Sequence, residues 1–340
     1  MKKIISIIMV AAMLMAVLAS CNANSGNTPT PSDNSTVSVA EKATVNLATL
    51  AGPTGMGMSY MLDDSDNGTT LNKYNYTVCS SPDEITGKIV SGDYDIAALP
   101  TNAAATLYNK TGGKVQMLAL NTLGVLYVLE KGGSIKTVSD LKGKTVYVSG
   151  QGATPEYVLA YLLEENGLKV GTDVKLDFTY STHADLVAFA ATGKADVVLL
   201  PEPSVTALLT QNKDMKVALN LNDVWSETTD DDSVMAMGCV VVNAKFAEEN
   251  PQAVKDFMTD YNASVEKVNA DNAAASEIIA KLGITPKAAV ALNALPRCNI
   301  VCIKGEEMKN MVAPFFEVLY NANASSVGGA IPDENLYYIG

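Results

Sequence analysis

The sequence predicts an α/β protein built from two similar lobes, each a mostly parallel sheet covered by helices on both faces. Strand-like and helix-like segments alternate along the chain, which is typical of βαβ units. From about residue 43 these segments repeat at an offset of roughly 100 residues. The chain has 340 residues, 48% of them hydrophobic, which is enough for two domains with large cores.

The start of the chain has the layout of an export signal. Lys2 and Lys3 precede the apolar run Ile4–Leu18, and the segment LASC that ends at Cys21 resembles the lipobox of bacterial lipoproteins. The resemblance implies that residues 1–20 are a signal peptide and that Cys21 carries lipid at the outer face of a bacterial membrane. A secretory signal with an incidental Cys and a membrane anchor are the alternatives. The run is short for a spanning helix, which needs roughly 20 apolar residues.

The segment after the signal is polar and the protein as a whole is acidic. Residues 21–42 are nearly all Asn, Ser, Thr, Pro and Gly, and we expect a flexible tether there. Without residues 1–20 the chain has 22 basic and 37 acidic side chains, a net charge of −15. Such a charge makes nucleic acid and anionic lipid poor candidate partners.

Each repeated unit begins with a strand and a Gly-rich loop. The first has a strand at Ala43–Leu50 and the loop Gly52–Gly57, and the second has a strand at Lys144–Ser149 and the loop Gly150–Pro155. In sheets of this kind ligands bind beyond the carboxyl ends of the strands, where these loops lie. If the lobes face each other, the loops line one cleft.

Further matched segments follow in the same order. The clearest pair is GDYDIAALP at Gly92–Pro100 and GKADVVLLP at Gly193–Pro201. The other pairs are strands at Tyr74–Cys79 and Val174–Tyr180, helices beginning near Ser81 and Thr182, helices at Thr101–Asn109 and Glu202–Asn212, and strands at Lys114–Leu120 and Met215–Leu219.

The tail has no repeat partner. It begins with a strand at Met237–Asn243 and a helix from Pro251 to about Asn269, in which apolar residues recur at i, i+4 spacing. Helices are also predicted near Ala273–Leu282, Pro286–Leu295 and Glu306–Leu319.

Four segments resemble one known family. They are DLKGK at Asp140–Lys144, the loop Gly150–Glu156, GKADV at Gly193–Val197, and PEP at Pro201–Pro203. With the lipobox, the tether and the duplicated lobes, they are similar to the solute-binding proteins of bacterial ABC importers, nitrate/sulfonate/taurine (NitT/TauT) type. The resemblance covers residues 43–338 and implies the type 2 periplasmic-binding-protein fold, two Rossmann-like lobes joined by a two-strand hinge.

The resemblance also implies how the chain is divided. Residues 43–130 and 238–340 are expected to form lobe 1 and residues 131–237 lobe 2, with crossings near Leu126–Gly133 and Asp232–Gly238. A solute would close the lobes, and the closed form would be delivered to permease and ATPase subunits. Closure has to be driven by contacts that the open form lacks.

The Gly-rich loops supply the first candidate ligand contacts. Glycines bring backbone N–H groups close to a ligand, at the positive end of a helix dipole. Thr54 and Gly55 in one loop, and Gln151, Gly152 and Thr154 in the other, are the candidates. The alternative is a tight turn that needs Gly for its geometry alone.

Residues after the matched strands supply the rest. Thr101 and Asn102 are helix caps or ligand contacts. Glu202 caps a helix or accepts hydrogen bonds from a ligand N–H or cation. Arg297, the only Arg in the chain, anchors an acidic ligand or is an ordinary surface or lobe-stabilising residue.

Metal sites, cofactors and catalysis are not predicted. His183 is the sole His, so a His-based zinc site is not available, and its ordinary role is to start a helix. No G-x-S-x-G, paired-carboxylate or Walker-type motif is present. We expect the remaining cysteines to be buried as small hydrophobic residues, and their spacing does not specify whether they form disulfides. They are Cys79, Cys239, Cys298 and Cys302.

The sequence thus predicts a lipid-anchored, extracytoplasmic solute-binding protein and not an enzyme. Two solute classes stay open: a thiamine-pyrimidine-like heterocycle, which fits Glu202 and the lack of Arg near the Gly-rich loops, or a nitrate-, sulfonate- or taurine-like anion. The alternative functions are a tethered ligand sensor and an enzyme of the thiamine-precursor type on the same fold.

Overall fold

Strands of the two repeated units form two separate sheets. The computed structural model describes residues 42–229 and 232–340, and residues 42–340 pack as one unit. The signal peptide, Cys21 and all but the last residue of the tether lie outside the described residues. None of the helices in those two ranges is long and apolar enough to cross a membrane.

The first unit contains four strands and four helices. The strands are β1 (Thr44–Leu50), β2 (Lys73–Cys79), β3 (Ile96–Pro100) and β4 (Val115–Thr122). The helices are α1 (Pro53–Met56), α2 (Ser59–Asp66), α3 (Asp83–Ser91) and α4 (Thr101–Thr111).

The middle of the chain contains five strands and four helices. The strands are β5 (Leu126–Lys131), β6 (Thr145–Val148), β7 (Lys175–Asp177), β8 (Val197–Pro201) and β9 (Met215–Asn220). The helices are α5 (Thr154–Glu165), α6 (His183–Ala191), α7 (Ser204–Gln211) and α8 (Leu221–Thr228).

The last part of the chain is mostly helical. Its strands are β10 (Gly238–Asn243) and β11 (Ile300–Lys304). Its helices are α9 (Ala244–Glu249), α10 (Pro251–Ala270), α11 (Asn272–Lys281), α12 (Ala288–Ala294) and α13 (Gly305–Ala322).

The two sheets have the same plan. The first has the order β11-β4-β10-β3-β1-β2, and the second β7-β6-β8-β5-β9. If the four strands of each unit are numbered 1 to 4 along the chain and the strand inserted from elsewhere is x, both sheets have the order 2-1-3-x-4, apart from the additional edge strand β11. Strand x is antiparallel to both neighbours and follows the other unit in the chain: β5 follows β4, and β10 follows β9. This confirms the duplicated two-lobed α/β fold with two crossing segments.

The first crossing lies earlier than the sequence predicted. Strand β5 pairs with β8 and β9, so Leu126–Lys131 belongs to the second sheet and the chain leaves the first sheet before Leu126. The apolar run Leu126–Leu129 is buried on both faces, which is typical of an internal strand rather than a hinge. From here, "first lobe" means the six-stranded sheet with its helices and "second lobe" the five-stranded one.

Aromatic packing joins α8 of the second lobe to α13. The Trp225 side chain on α8 is fully buried and contacts Phe315 on α13 at 5.4 Å between ring centroids. Trp225 Nε1 donates a hydrogen bond of 3.1 Å to the Ser233 hydroxyl, and Tyr161 on α5 packs on the same ring. Helix α13 is thus fixed on the second lobe, while β11 before it pairs in the first sheet.

The long helix α10 follows the apolar spacing in its sequence. Ala253, Phe257, Tyr261 and Val265, at i, i+4 spacing, are all buried in the core of the first lobe, as predicted. The rings of Phe257 and Tyr261 are nearly parallel at 5.8 Å. A periodic apolar face of this kind holds the helix against the sheet through burial.

Candidate functional site

The first Gly-rich loop becomes the short helix α1, which lies on the carboxyl edge of the first sheet. Gly52 has a φ of 93° and its N–H donates to the Ile284 carbonyl at 2.8 Å. A Cβ on Gly55 would lie 2.3 Å from the Leu50 carbonyl oxygen, so only glycine allows this approach. Because α1 has four residues, it offers little of the helix dipole that the sequence led us to expect.

Buried polar side chains without partners gather at this edge. Among the described residues, six buried side chains have an oxygen with no oxygen or nitrogen partner, and four of these follow or end the strands β1, β3 and β4. They are Thr49, Thr101, Asn121 and Thr122, each no more than 1% exposed. A buried polar group left unpaired costs about 1–3 kcal/mol, so a concentration of them indicates a functional site.

Asn121 is held in one orientation. Its Nδ2 donates to the Thr54 carbonyl at 3.1 Å and to the Cys239 carbonyl at 3.2 Å. Both partners are acceptors, so the amide cannot be turned round, and Oδ1 is the atom without a partner. Oδ1 lies over Gly238, where a Cβ would approach it to 2.4 Å.

Within the described residues, no charged side chain bonds to this set of four polar groups. No hydrogen bond or ion pair found within residues 42–229 and 232–340 brings a Lys or Arg side chain to Thr49, Thr101, Asn121 or Thr122. Burial raises the pKa of the Cys239 thiol to about 12, although the Thr101 hydroxyl beside it lowers that pKa in part. The thiol is therefore neutral, and any ligand here meets hydroxyl and amide groups.

The second Gly-rich loop is more open. Gln151 and Gly152 are exposed and Thr154 is half-buried at the start of α5. The Gly152 N–H donates to Glu156 Oε2 at 2.6 Å, and its carbonyl accepts from the Tyr157 hydroxyl at 2.8 Å. Within the described ranges no hydrogen bond joins this loop to α1. At the edge of the first sheet the Asn121 amide bonds to the Thr54 and Cys239 carbonyls, and the Thr101 hydroxyl lies beside the Cys239 thiol. Gly55 follows Thr54 in α1, and half-buried Asn102 follows Thr101 in α4. Within the described residues, no hydrogen bond joins this group to Gln151, Gly152 or Thr154.

Ser149 and His183 form a second-lobe pair that sequence reasoning missed. Ser149 is buried just after β6, and its hydroxyl lies 2.5 Å from Nδ1 of His183 at the start of α6. No carboxylate in the described chain hydrogen-bonds to this ring. The pair therefore lacks the third group that orients a catalytic base.

Glu202 and Arg297 contact each other across the lobes. The Arg297 Nε donates to Glu202 Oε1, and its Nη2 donates to the Thr206 hydroxyl and the Asn293 carbonyl, each at 2.8 Å. Glu202 also accepts from the Thr206 N–H at 3.1 Å, which caps α7. Burial raises the pKa of Glu202, and the nearby Arg297 opposes that rise. The roles observed are therefore the helix cap and the lobe-stabilising ion pair.

Two further contacts lie beside this ion pair. The Tyr127 hydroxyl on β5 donates to the Arg297 carbonyl at 2.9 Å. The Asn299 side-chain amide donates to the Gly124 carbonyl, and the Asn299 backbone carbonyl accepts from the Leu123 N–H at 3.1 Å. Asn299 has a φ of 45°, a left-handed conformation that Asn tolerates better than most residues. Together these bonds fix the segment after α12 to the start of the second lobe.

The described residues form neither a metal site nor a disulfide. Across the described residues, no group of three His, Cys, Asp or Glu side chains is placed to hold a metal ion. Free thiols are found at Cys79, Cys239, Cys298 and Cys302, and all but Cys302 are buried.

Comparison with solved structures supports the fold. An ABC transporter protein from Parabacteroides distasonis is 25% identical, with a TM-score of 0.73, covering 87% of this chain and 99% of its own. The periplasmic aliphatic sulphonate-binding protein SsuA from Escherichia coli is 16% identical, with a TM-score of 0.66 and coverages of 88% and 92%. The periplasmic nitrate-binding protein NrtA from Synechocystis PCC 6803 is 15% identical, with a TM-score of 0.53 and coverages of 75% and 69%.

The family comparison covers about two thirds of the chain. The profile of the family described as ABC transporter, phosphonate, periplasmic substrate-binding protein matches residues 67–292. No curated protein sequence matches the chain. The match includes part of the first repeated unit and the whole of the second, and the neighbours share the two-lobed fold. The chain therefore belongs to this family of periplasmic substrate-binding proteins of ABC transporters, and it is a binding component rather than an enzyme.

Proposed function

We propose that this chain is the lipid-anchored solute-binding subunit of an ABC importer. It captures a small polar solute between the carboxyl edges of its two sheets and presents it to the membrane permease. Family membership supports the transport role. The lipobox that ends at Cys21 supports the anchor on sequence grounds alone.

The observation that carries the binding site is the set of buried, unpartnered oxygens at the first sheet. Thr49, Thr101 and Thr122 have hydroxyls that donate or accept, and Asn121 Oδ1 accepts only. A solute that enters the site satisfies these groups and removes the cost of leaving them unpaired. The site therefore favours a compact solute with several oxygen or nitrogen atoms.

A phosphonate-class oxyanion is the first candidate solute. The family description names phosphonate, and SsuA and NrtA are described as binding sulphonate and nitrate. Hydroxyl groups solvate an oxyanion without a cation. An N–H-bearing heterocycle is the second candidate, because no charged side chain of the described residues bonds to the polar groups at this edge and Asn121 offers an acceptor.

The remaining predicted residues take supporting positions in this proposal. Thr54, Gly55 and Asn102 line the same edge as Thr101, and Gln151, Gly152 and Thr154 meet the solute from the second lobe when the lobes close. Glu202 and Arg297 are assigned to holding the lobes together, since their charged groups bind each other.

A thermal-melt screen of the purified full-length protein in detergent tests the solute class. The probes are methylphosphonate, methanesulfonate, nitrate, taurine and 4-aminopyrimidine. A ligand at 100 times its Kd stabilises the folded protein by about 2.7 kcal/mol, which gives a measurable rise in Tm. We expect a rise with a phosphonate or with the heterocycle. No rise with any probe contradicts both solute classes.

The anchor has a separate test. A Cys21→Ser variant should lose incorporation of radiolabelled palmitate and move from the membrane fraction to the soluble fraction. Cys79→Ser is the matched control and should stay with the membrane, because Cys79 is buried in the folded part. Unchanged labelling and fractionation of Cys21→Ser contradict the anchor.

A further inference from the structure

The Asn121 side chain has an acceptor for which the folded chain provides no donor. Its oxygen is buried, the residue is 1% exposed, and no described group donates to it. Its nitrogen is committed to two carbonyl oxygens, Thr54 and Cys239, so the amide cannot exchange its ends. The acceptor is thus a fixed property of the site.

The chain leaves space for this acceptor. Gly238 lies beneath Oδ1, and a Cβ there would come within 2.4 Å of Oδ1 and 3.3 Å of Thr122 Oγ1. Gly55 likewise lies beneath Thr49 Oγ1, 3.0 Å from where its Cβ would be. Two glycines therefore stand beside unpartnered polar atoms at the same edge of the sheet.

We infer that Asn121 selects solutes that present a hydrogen-bond donor, either P–O–H or N–H, and rejects isosteric solutes that lack one. The inference rests on the proposed function, because it assigns a partner to an atom of the proposed site. The three neighbouring hydroxyls adapt to donors or acceptors, whereas Asn121 Oδ1 accepts only. Asn121 is therefore the residue of the set that distinguishes solutes by their protons.

The chemistry separates anions of nearly the same shape. A phosphonate monoanion keeps one P–O–H proton, whereas a sulfonate or nitrate has none near neutral pH. A proton-free oxygen placed against Oδ1 leaves two acceptors facing each other without water. The cost of a buried unpaired acceptor corresponds to a loss of affinity of about ten- to a hundred-fold.

The test is calorimetric titration of the full-length protein in detergent with two matched pairs of probes. Methylphosphonate and methanesulfonate are both monoanions at mildly acidic pH and differ by one proton. In the second pair, 4-aminopyrimidine has N–H donors and 4-(dimethylamino)pyrimidine has none. A preference within this pair identifies a heterocycle N–H as the donor, and a preference within the first pair identifies a P–O–H. We expect the donor-bearing member of one pair to bind at least ten-fold more tightly.

A pH series on the unaltered protein gives a second readout. At alkaline pH methylphosphonate becomes a dianion without its donor. Its affinity should then fall at least ten-fold, while any affinity for methanesulfonate stays nearly constant.

A variant pair locates the effect. Asn121→Leu should reduce the preference for the donor-bearing member to nearly one. Asn72→Leu is the control. Asn72 is also buried, with an unpartnered Oδ1 and an amide that donates to the Ala253 carbonyl. It differs in place, because it precedes β2 and so lies at the opposite edge of the sheet. That control should keep the preference.

Equal affinities within both pairs overturn the inference and assign Asn121 Oδ1 to an ordered water, while the proposed function stands. Binding of none of the four probes contradicts the solute classes of the proposed function, and the inference falls with them.

Discussion

Removing Arg297 should destabilise the protein in a way that depends on pH. Arg297→Met leaves the Glu202 carboxylate buried, with 0% of its side chain exposed, and without its counter-charge. Breaking one side of a buried ion pair costs about 3–5 kcal/mol, and since 28% of the Arg297 side chain is exposed we take the lower end, about 3 kcal/mol. With an unfolding entropy of about 2.1 cal/mol/K for each of roughly 300 residues, Tm should fall by about 5 °C.

The pH dependence follows from the pKa of Glu202. Burial already raises it above its ordinary value of 4.5, and loss of Arg297 raises it further. A raised pKa means that the folded protein binds a proton that the unfolded chain has released. The variant is therefore closest to the parent protein below the ordinary pKa of 4.5, and the difference between them grows as the pH rises above that value.

Thermal melts of both proteins at several pH values measure this effect. Lys245→Met is the control, because it breaks an exposed ion pair with Glu249 and should leave Tm nearly unchanged. Adding Glu202→Gln to Arg297→Met should remove the pH dependence. A drop in Tm for Arg297→Met that matches the Lys245→Met control, or one that is constant with pH, would refute this reasoning.

Three further predictions have definite expected outcomes. Gly55→Ala places a Cβ 2.3 Å from the Leu50 carbonyl oxygen and should lower Tm and weaken solute binding. Gly87→Ala on α3 is its control, because a Cβ there has nothing within 4 Å, and it should stabilise the protein by up to about 1 kcal/mol in urea melts. Equal effects of the two substitutions would contradict the packing of α1. Trp225→Ala should cost about 3–5 kcal/mol in the same melts because the indole is fully buried between the lobes, and a cost below about 1 kcal/mol would contradict that burial. The Cys239 thiol, with a pKa of about 12, should resist iodoacetamide at about pH 8 until the protein unfolds, as mass spectrometry of the modified peptides will show.

Much of the fold was predictable because the repeat gave each element a partner. The strands ending at Pro100 and Pro201 could be aligned from their sequences, and they occupy equivalent positions in the two sheets. The amphipathic helix α10 was also predictable, since apolar spacing reports burial directly. Strand β5 was misplaced because a buried apolar strand has no feature that tells to which sheet it belongs.

Only part of the candidate site was predictable from the sequence. Glycine loops and strand ends pointed to Thr54, Gly55 and Thr101, because backbone geometry leaves a sequence signal. Asn121 stands out in sequence only as a polar residue after a buried strand, and its fixed acceptor depends on carbonyls from two distant segments. Pairing of Glu202 with Arg297 could not be foreseen, because it requires knowing which helices meet across the lobes.

The central claim is that unpartnered buried hydroxyls at the first sheet serve solute binding, and Thr101→Val tests it most directly. The change keeps the shape of the side chain and removes a buried hydroxyl that has no oxygen or nitrogen partner. Thr111→Val, at the other end of α4, removes a hydroxyl that bonds to the Leu107 carbonyl at 2.7 Å and is the control. The calorimetric probe is methylphosphonate or 4-aminopyrimidine, whichever raises the Tm of the unaltered protein. Thr101→Val should bind it at least about ten-fold more weakly, with its Tm unchanged or raised, and the control should bind it as the unaltered protein does. Undiminished binding by Thr101→Val would contradict the account.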